Sequence, residues 1–78
     1  MAGKRARYLL ERTLPDGTVK THPNTMTARE CATAAMYVLH DSAGATRQDA
    51  TQAASRVQDA IDGSAVESHG YQFRLLLA

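Results

Sequence analysis

Three kinds of side chain in this 78-residue sequence have the types and spacing to do chemistry: a single cysteine, three histidines and a set of carboxylates in the second half. The cysteine, Cys31, lies within "TMTARECATAAMYVL", Thr25 to Leu39. A cysteine nucleophile needs a lowered thiol pKa and, as a rule, a histidine within hydrogen-bond reach. No histidine neighbours Cys31 in the sequence. Its setting suggests packing instead. Thr27 followed by Glu30 forms a capping box, and Met26 ahead of the cap is spaced to touch Cys31 as a hydrophobic staple. Cys31 is therefore expected to be apolar filler on a buried helix stripe, hidden from an intermolecular disulfide. A lone cysteine also excludes an internal disulfide framework.

His22, His40 and His69 stand apart, with no HxxxH or HExxH spacing and no cysteine-rich companions. They form no metal-ligand pattern, and surface roles at a strand end, a helix end and a turn are expected. GxxxxGK[ST], GxGxxG and GxSxG are likewise missing from the sequence, so neither a phosphate cradle nor a nucleophile elbow is indicated. Asp59 and Asp62 are the closest approach to paired carboxylates, and they read as a solvated helix end. No cofactor, metal or enzymatic activity is expected.

The elements that position these groups follow from turn chemistry and periodicity. In "RYLLERTLPDGTVKTHP", Pro15, Asp16 and Gly17 specify a tight turn between two strands, and Pro23 ends the second after His22. Tyr8, Leu10 and Leu14 share one face of the first strand, interrupted by Arg12. A helix opens at the Thr27 cap, buries Ala28, Cys31, Ala32, Ala35, Met36 and Leu39, and stops at Gly44. A second begins at Thr46, with Asp49 in its first turn, buries Ala50, Ala53, Ala54, Val57, Ala60 and Ile61, and stops at Gly63. Its alanine-rich stripe predicts close approach to a neighbour. The ending "GYQFRLLLA" alternates Tyr71, Phe73, Leu75 and Leu77 inward with Gln72 and Arg74 outward. Residues 64–68 are left open between an extra strand and an extended lead-in.

The expected fold is α+β: one small antiparallel sheet, built from the N-terminal hairpin and the C-terminal strand, covered on one face by two helices in the order ββααβ. The first strand is placed between the second and the last. Residues 1–78 are expected to form one domain, with 1–6 a flexible basic tail. No apolar run is long enough to span a membrane, and "MAGKRARYLLERT" contains no long apolar signal segment, so a cytoplasmic location is expected. A domain this small has a thin stability margin, which makes self-association worth testing. Leu76, facing away from Leu75 and Leu77 near an open edge of the sheet, is the candidate contact for a second copy.

The net charge of +1 argues for neither nucleic acid nor membrane. Its distribution is uneven. Lys4, Arg5, Arg7, Arg12 and Lys20 outnumber Glu11 and Asp16 near the start, whereas Asp41, Asp49, Asp59, Asp62 and Glu67 outnumber Arg47 and Arg56 later. The acidic group Asp49, Asp59, Asp62 and Glu67 is the candidate surface for a basic protein partner. The alternative is a nucleic-acid-binding or regulatory protein gripping phosphates through Lys4, Arg5 and Arg7.

With "YLLERTLPDGTVK" followed by "TMTARECATAAMYVL", the whole chain resembles, in size and architecture, the small phage-encoded anti-CRISPR proteins, inhibitors of type I CRISPR-Cas. The resemblance implies a non-enzymatic inhibitor acting in the bacterial host cytoplasm by binding a Cas subunit of a CRISPR effector complex. Target DNA recognition or nuclease recruitment would then be blocked sterically. These inhibitors share no common motif, so no residue role carries over.

Overall fold

The computed structural model describes residues 6–78. Among them the chain forms β1 (Tyr8–Thr13), β2 (Val19–Thr21), α1 (Ala28–Ser42), α2 (Arg47–Asp59), β3 (Val66–Ser68) and β4 (Tyr71–Leu77). The four strands make one antiparallel sheet in the order β2-β1-β4-β3. This is the expected α+β arrangement, with β1 between β2 and β4. Residues 66–68 resolve the open question about 64–68, since they form a short strand that hairpins onto β4. Of the expected tail, residues 1–6, only Ala6 falls within the described residues, and it is exposed.

Local chemistry explains each element. At the first turn Gly17 takes φ +90°, its N–H donates to the Leu14 carbonyl (2.9 Å), and the Thr18 N–H donates to Asp16 Oδ1 (2.9 Å). The second strand's pairing reaches one residue past Thr21, because the His22 N–H donates to the Leu10 carbonyl (2.9 Å). Helix α1 starts on the expected capping box: the Glu30 N–H donates to Thr27 Oγ1 (3.2 Å), and the Thr27 N–H donates to Glu30 Oε1 (2.9 Å). Thr46 caps α2 by accepting from the Asp49 N–H (3.1 Å). The β3–β4 turn is His69-Gly70, with φ of +52° and +82°, the doubly left-handed geometry of a two-residue hairpin.

Strand pairing fixes the faces, because residues opposite one another project to the same side of a sheet. Tyr8, Leu10, Val66, Phe73 and Leu75 point toward the helices and are buried. They meet Cys31, Ala35, Leu39, Ala50, Ala53 and Val57 in one contiguous apolar cluster. Phe73, Leu10, Leu39 and Leu75 are its largest fully buried members. Burying each of these contributes about 1.5–3 kcal/mol. Ala35, Ala50 and Ala53 are completely buried. Their small side chains leave little between the two helices but backbone.

Two apolar positions expected to be buried are largely exposed. Ile61, assigned to the buried stripe of α2, is 60% exposed. The helix ends at Asp59, and Ala60 takes a non-helical ψ of 47°, which takes Ile61 off the stripe. Leu77, assigned inward, is 74% exposed although it lies opposite buried Tyr8. It is the last residue of β4, where the helical layer gives it no cover.

The other face of the sheet is left uncovered by the helices. Leu76 sits there beside Leu9, and Glu11 beside Arg74. Leu76 is half-buried in an inner strand.

Candidate functional site

Cys31 is completely buried, in the first turns of α1, and its backbone N–H donates to Thr27 O (2.9 Å). Burial pushes the thiol pKa up, the Glu30 carboxylate adds to that, and the Arg7 guanidinium opposes it. A protonated thiol without access to solvent is a poor nucleophile. Met26, the other half of the expected staple, is partly buried against the same cluster.

The three histidines are held by separate local bonds. His22 Nδ1 accepts from the Asn24 N–H (3.2 Å). His40 Nδ1 lies 3.1 Å from the Ala45 carbonyl, which can only accept, so Nδ1 carries the proton and Nε2 is left for other contacts. His69 Nδ1 is 2.9 Å from Ser68 Oγ. Among the described residues, no group of three or more His, Cys, Asp or Glu side chains is placed to hold a metal ion.

The four carboxylates proposed as one patch are exposed but occupy different parts of the surface. Asp49 is in the first turn of α2 and Asp59 at its end, about 15 Å apart along the axis. Asp62 lies in the following turn, where Ser64 donates to its Oδ1 through both N–H (3.0 Å) and hydroxyl (2.7 Å). Those bonds hold its pKa below the usual carboxylate value. Glu67 is opposite Gln72, on the sheet face away from the helices. Only Asp59 and Asp62 stay close along the chain.

The basic candidates divide similarly. Lys4 and Arg5 lie outside the described residues. Arg7 is occupied: its Nη2 donates to the Thr25 carbonyl (2.7 Å), and its Nη1 lies 3.9 Å from Glu30. It braces the approach to α1 while its side chain stays about half exposed, at 51%.

Two arrangements were not anticipated from the sequence. The first is a hollow of about 490 Å³ between α2 and the β3–β4 turn, where Asp49 and Arg56 meet Ser68 and His69. A serine hydroxyl on an imidazole invites comparison with a hydrolase, but triad chemistry also needs a group orienting the imidazole and donors for an oxyanion. Among the described residues no carboxylate is hydrogen-bonded to His69. The left-handed backbone at His69 is explained by the hairpin turn, which histidine tolerates better than most residues.

The second is a groove on the outer side of the helical layer. One end, about 270 Å³, is lined by Met36, Tyr37, His40 and Arg47. The other, about 220 Å³, runs from Met36 past Ala32 and Ala54 to Arg29 and Gln58. Met36 lines both, so the two depressions adjoin at its side chain. His40 faces Arg47 at one end and Arg29 faces Gln58 at the other, so the helices run antiparallel. Thr51 Oγ1 donates to the Arg47 carbonyl (2.8 Å) and lies 3.7 Å from Met36 Sδ, which ties the methionine to the groove floor. Tyr37 is 57% exposed. Among the described residues neither Arg29 nor Arg47 makes an ion pair. A sequence signal for this groove exists. The lining residues recur at helical spacing on both helices, as 29, 32, 33, 36, 37, 40 and as 47, 51, 54, 55, 58, each a single helix face.

No protein-family model, curated protein or solved structure matches this chain at a significant level.

Proposed function

We propose that this protein is a non-catalytic binding module that acts by occupying the surface of a larger protein, and that its contact face is the helical layer. The observation carrying this reading is the α1–α2 groove. There an exposed tyrosine, a half-buried methionine and two arginines that make no ion pair among the described residues line two adjoining depressions. Tyrosine, methionine and arginine are among the residue types enriched at protein interfaces. The sealed, protonated Cys31 supports the same view from the other side, since the most reactive side chain in the sequence is packing material.

The resemblance to anti-CRISPR proteins makes a Cas subunit of a type I effector complex the first partner to test. Blocking would be steric and stoichiometric. The carboxylates contribute less as a docking unit than the sequence suggested, because Asp49, Asp59, Asp62 and Glu67 do not share a face.

The test is co-purification of tagged wild-type chain and a Tyr37→Glu variant with a purified type I effector complex and, in parallel, with bacterial cell extract. Wild type should retain a defined partner in fixed ratio. The variant should lose it while keeping its helical circular dichroism signal. Equal retention by both would rule out the helical face.

A further inference from the structure

The groove has a charge character that the face as a whole does not. Arg29 stands at one end and Arg47 with His40 at the other, and among the described residues no carboxylate lines either depression. Of the acids on these helices, Asp41 and Asp59 are exposed near the helix C-termini, and the other two are directed elsewhere. Glu30 is bound to the Thr27 backbone and lies 3.9 Å from Arg7, and Asp49 lines the hollow beside His69. Between the cationic ends Met36, Ala32 and Ala54 supply an apolar strip, flanked by the hydroxyl-bearing Thr33, Thr51 and Ser55. From Arg29 to His40 the helix rises about 16 Å. An extended chain covers that distance in about five residues.

We infer that the groove binds a short extended segment of the partner protein that carries a carboxylate near each end and an apolar side chain between them. This rests on the helical-face proposal and specifies its ligand. The end carboxylates meet Arg29 and Arg47, where a guanidinium can donate two parallel hydrogen bonds. The central side chain covers Met36. Nucleic acid fits less well, because it would set phosphates rather than an apolar group over that strip.

The full chain is titrated, by fluorescence anisotropy, into a labelled peptide of about six residues with glutamates at both ends and leucine in the centre. A lysine-ended version and a short oligothymidylate serve as competing probes. Binding of the acidic peptide should saturate and weaken as salt rises. The double variant Arg29→Glu/Arg47→Glu should bind it at least about tenfold more weakly, and Arg29→Gln/Arg47→Gln should fall between. Replacing the central leucine by serine should also weaken it. No binding of the acidic peptide, equal binding of the lysine-ended peptide, or tighter binding of the oligothymidylate would overturn the inference. Failure here with Tyr37→Glu still abolishing partner capture would reject the acidic segment alone. Capture that survives Tyr37→Glu would reject the helical face itself.

Discussion

Replacing Cys31 gives a quantitative test of the claim that this thiol is packing and not chemistry. The side chain is fully buried. In Cys31→Ala a group about the size of a methylene is removed, costing about 1 kcal/mol in lost transfer and cavity terms. In Cys31→Ser the volume is nearly kept but a hydroxyl is desolvated, which costs about 1–3 kcal/mol when it has no partner. The Thr27 carbonyl four residues back offers that hydroxyl a bond, so the lower half of the range is expected. For a domain of this size 1 kcal/mol corresponds to about 4–8 °C in melting temperature. Both variants should therefore melt clearly below wild type by circular dichroism, while keeping the fold and partner capture. The pH dependence adds a signature of its own. Burial raises the folded thiol pKa above its ordinary value of 9.0. The unfolded chain then loses its proton first, so this contribution to stability is intact below that value and is lost as pH rises above it. The gap between wild type and Cys31→Ala should accordingly narrow in alkaline buffer. A thiol reagent that modifies the native protein at once, or Cys31→Ala abolishing capture in a fully stable fold, would refute the packing role.

Three further perturbations probe the scaffold. Gly70→Ala should cost at least about 1–2 kcal/mol in denaturant unfolding, because Gly70 has φ +82° and an added Cβ would sit 3.2 Å from Pro15 Cγ, where the two hairpin turns meet. An unchanged midpoint would show that the turns do not pack this way. Asp16 is held below its ordinary pKa of 3.8 chiefly by the Thr18 N–H, and Asp62 by Ser64, so any stability they add is present above that value and lost as pH falls below it. Carbon-detected NMR titration should find both carboxylates titrating low, and Thr18→Pro or Ser64→Ala should move the respective value upward. Leu76→Lys, on the sheet face opposite the helices, should leave acidic-peptide binding unchanged; a weakened peptide complex would place the contact on the wrong layer. Light scattering on the same variant also tests self-association through the Leu9–Leu76 pair.

Much of the fold was legible because local signals agreed with one another. The Pro15-Asp16-Gly17 turn, the Thr27–Glu30 box and the Thr46 cap each name a backbone geometry that few other residues would satisfy, and all three are present. Ile61 and Leu77 were misplaced for a different reason. Periodicity reports which residues share a face, but not where the covering layer stops, and both residues lie just past an element's covered length. Residues 64–68 were ambiguous because β3 is only three residues long and contributes one buried side chain, Val66. The acidic patch shows the same limit at larger scale. Net charge along the chain does not reveal that α2 separates Asp49 from Asp59 by its own length, or that Glu67 belongs to the other face of the sheet. The groove was readable in principle, from one helically spaced face on each helix, but only once the short loop between Ser42 and Arg47 is taken to fold them antiparallel.

The most direct check on the helical face is amide hydrogen exchange of the chain alone and bound to the partner it captures. Contact through the groove predicts new protection concentrated around Arg29 to His40 and Arg47 to Gln58, with β1 and β4 unchanged beyond overall stabilisation. Protection gained instead along Leu9 to Thr13 and Gln72 to Leu76, with the helices unaffected, would contradict it.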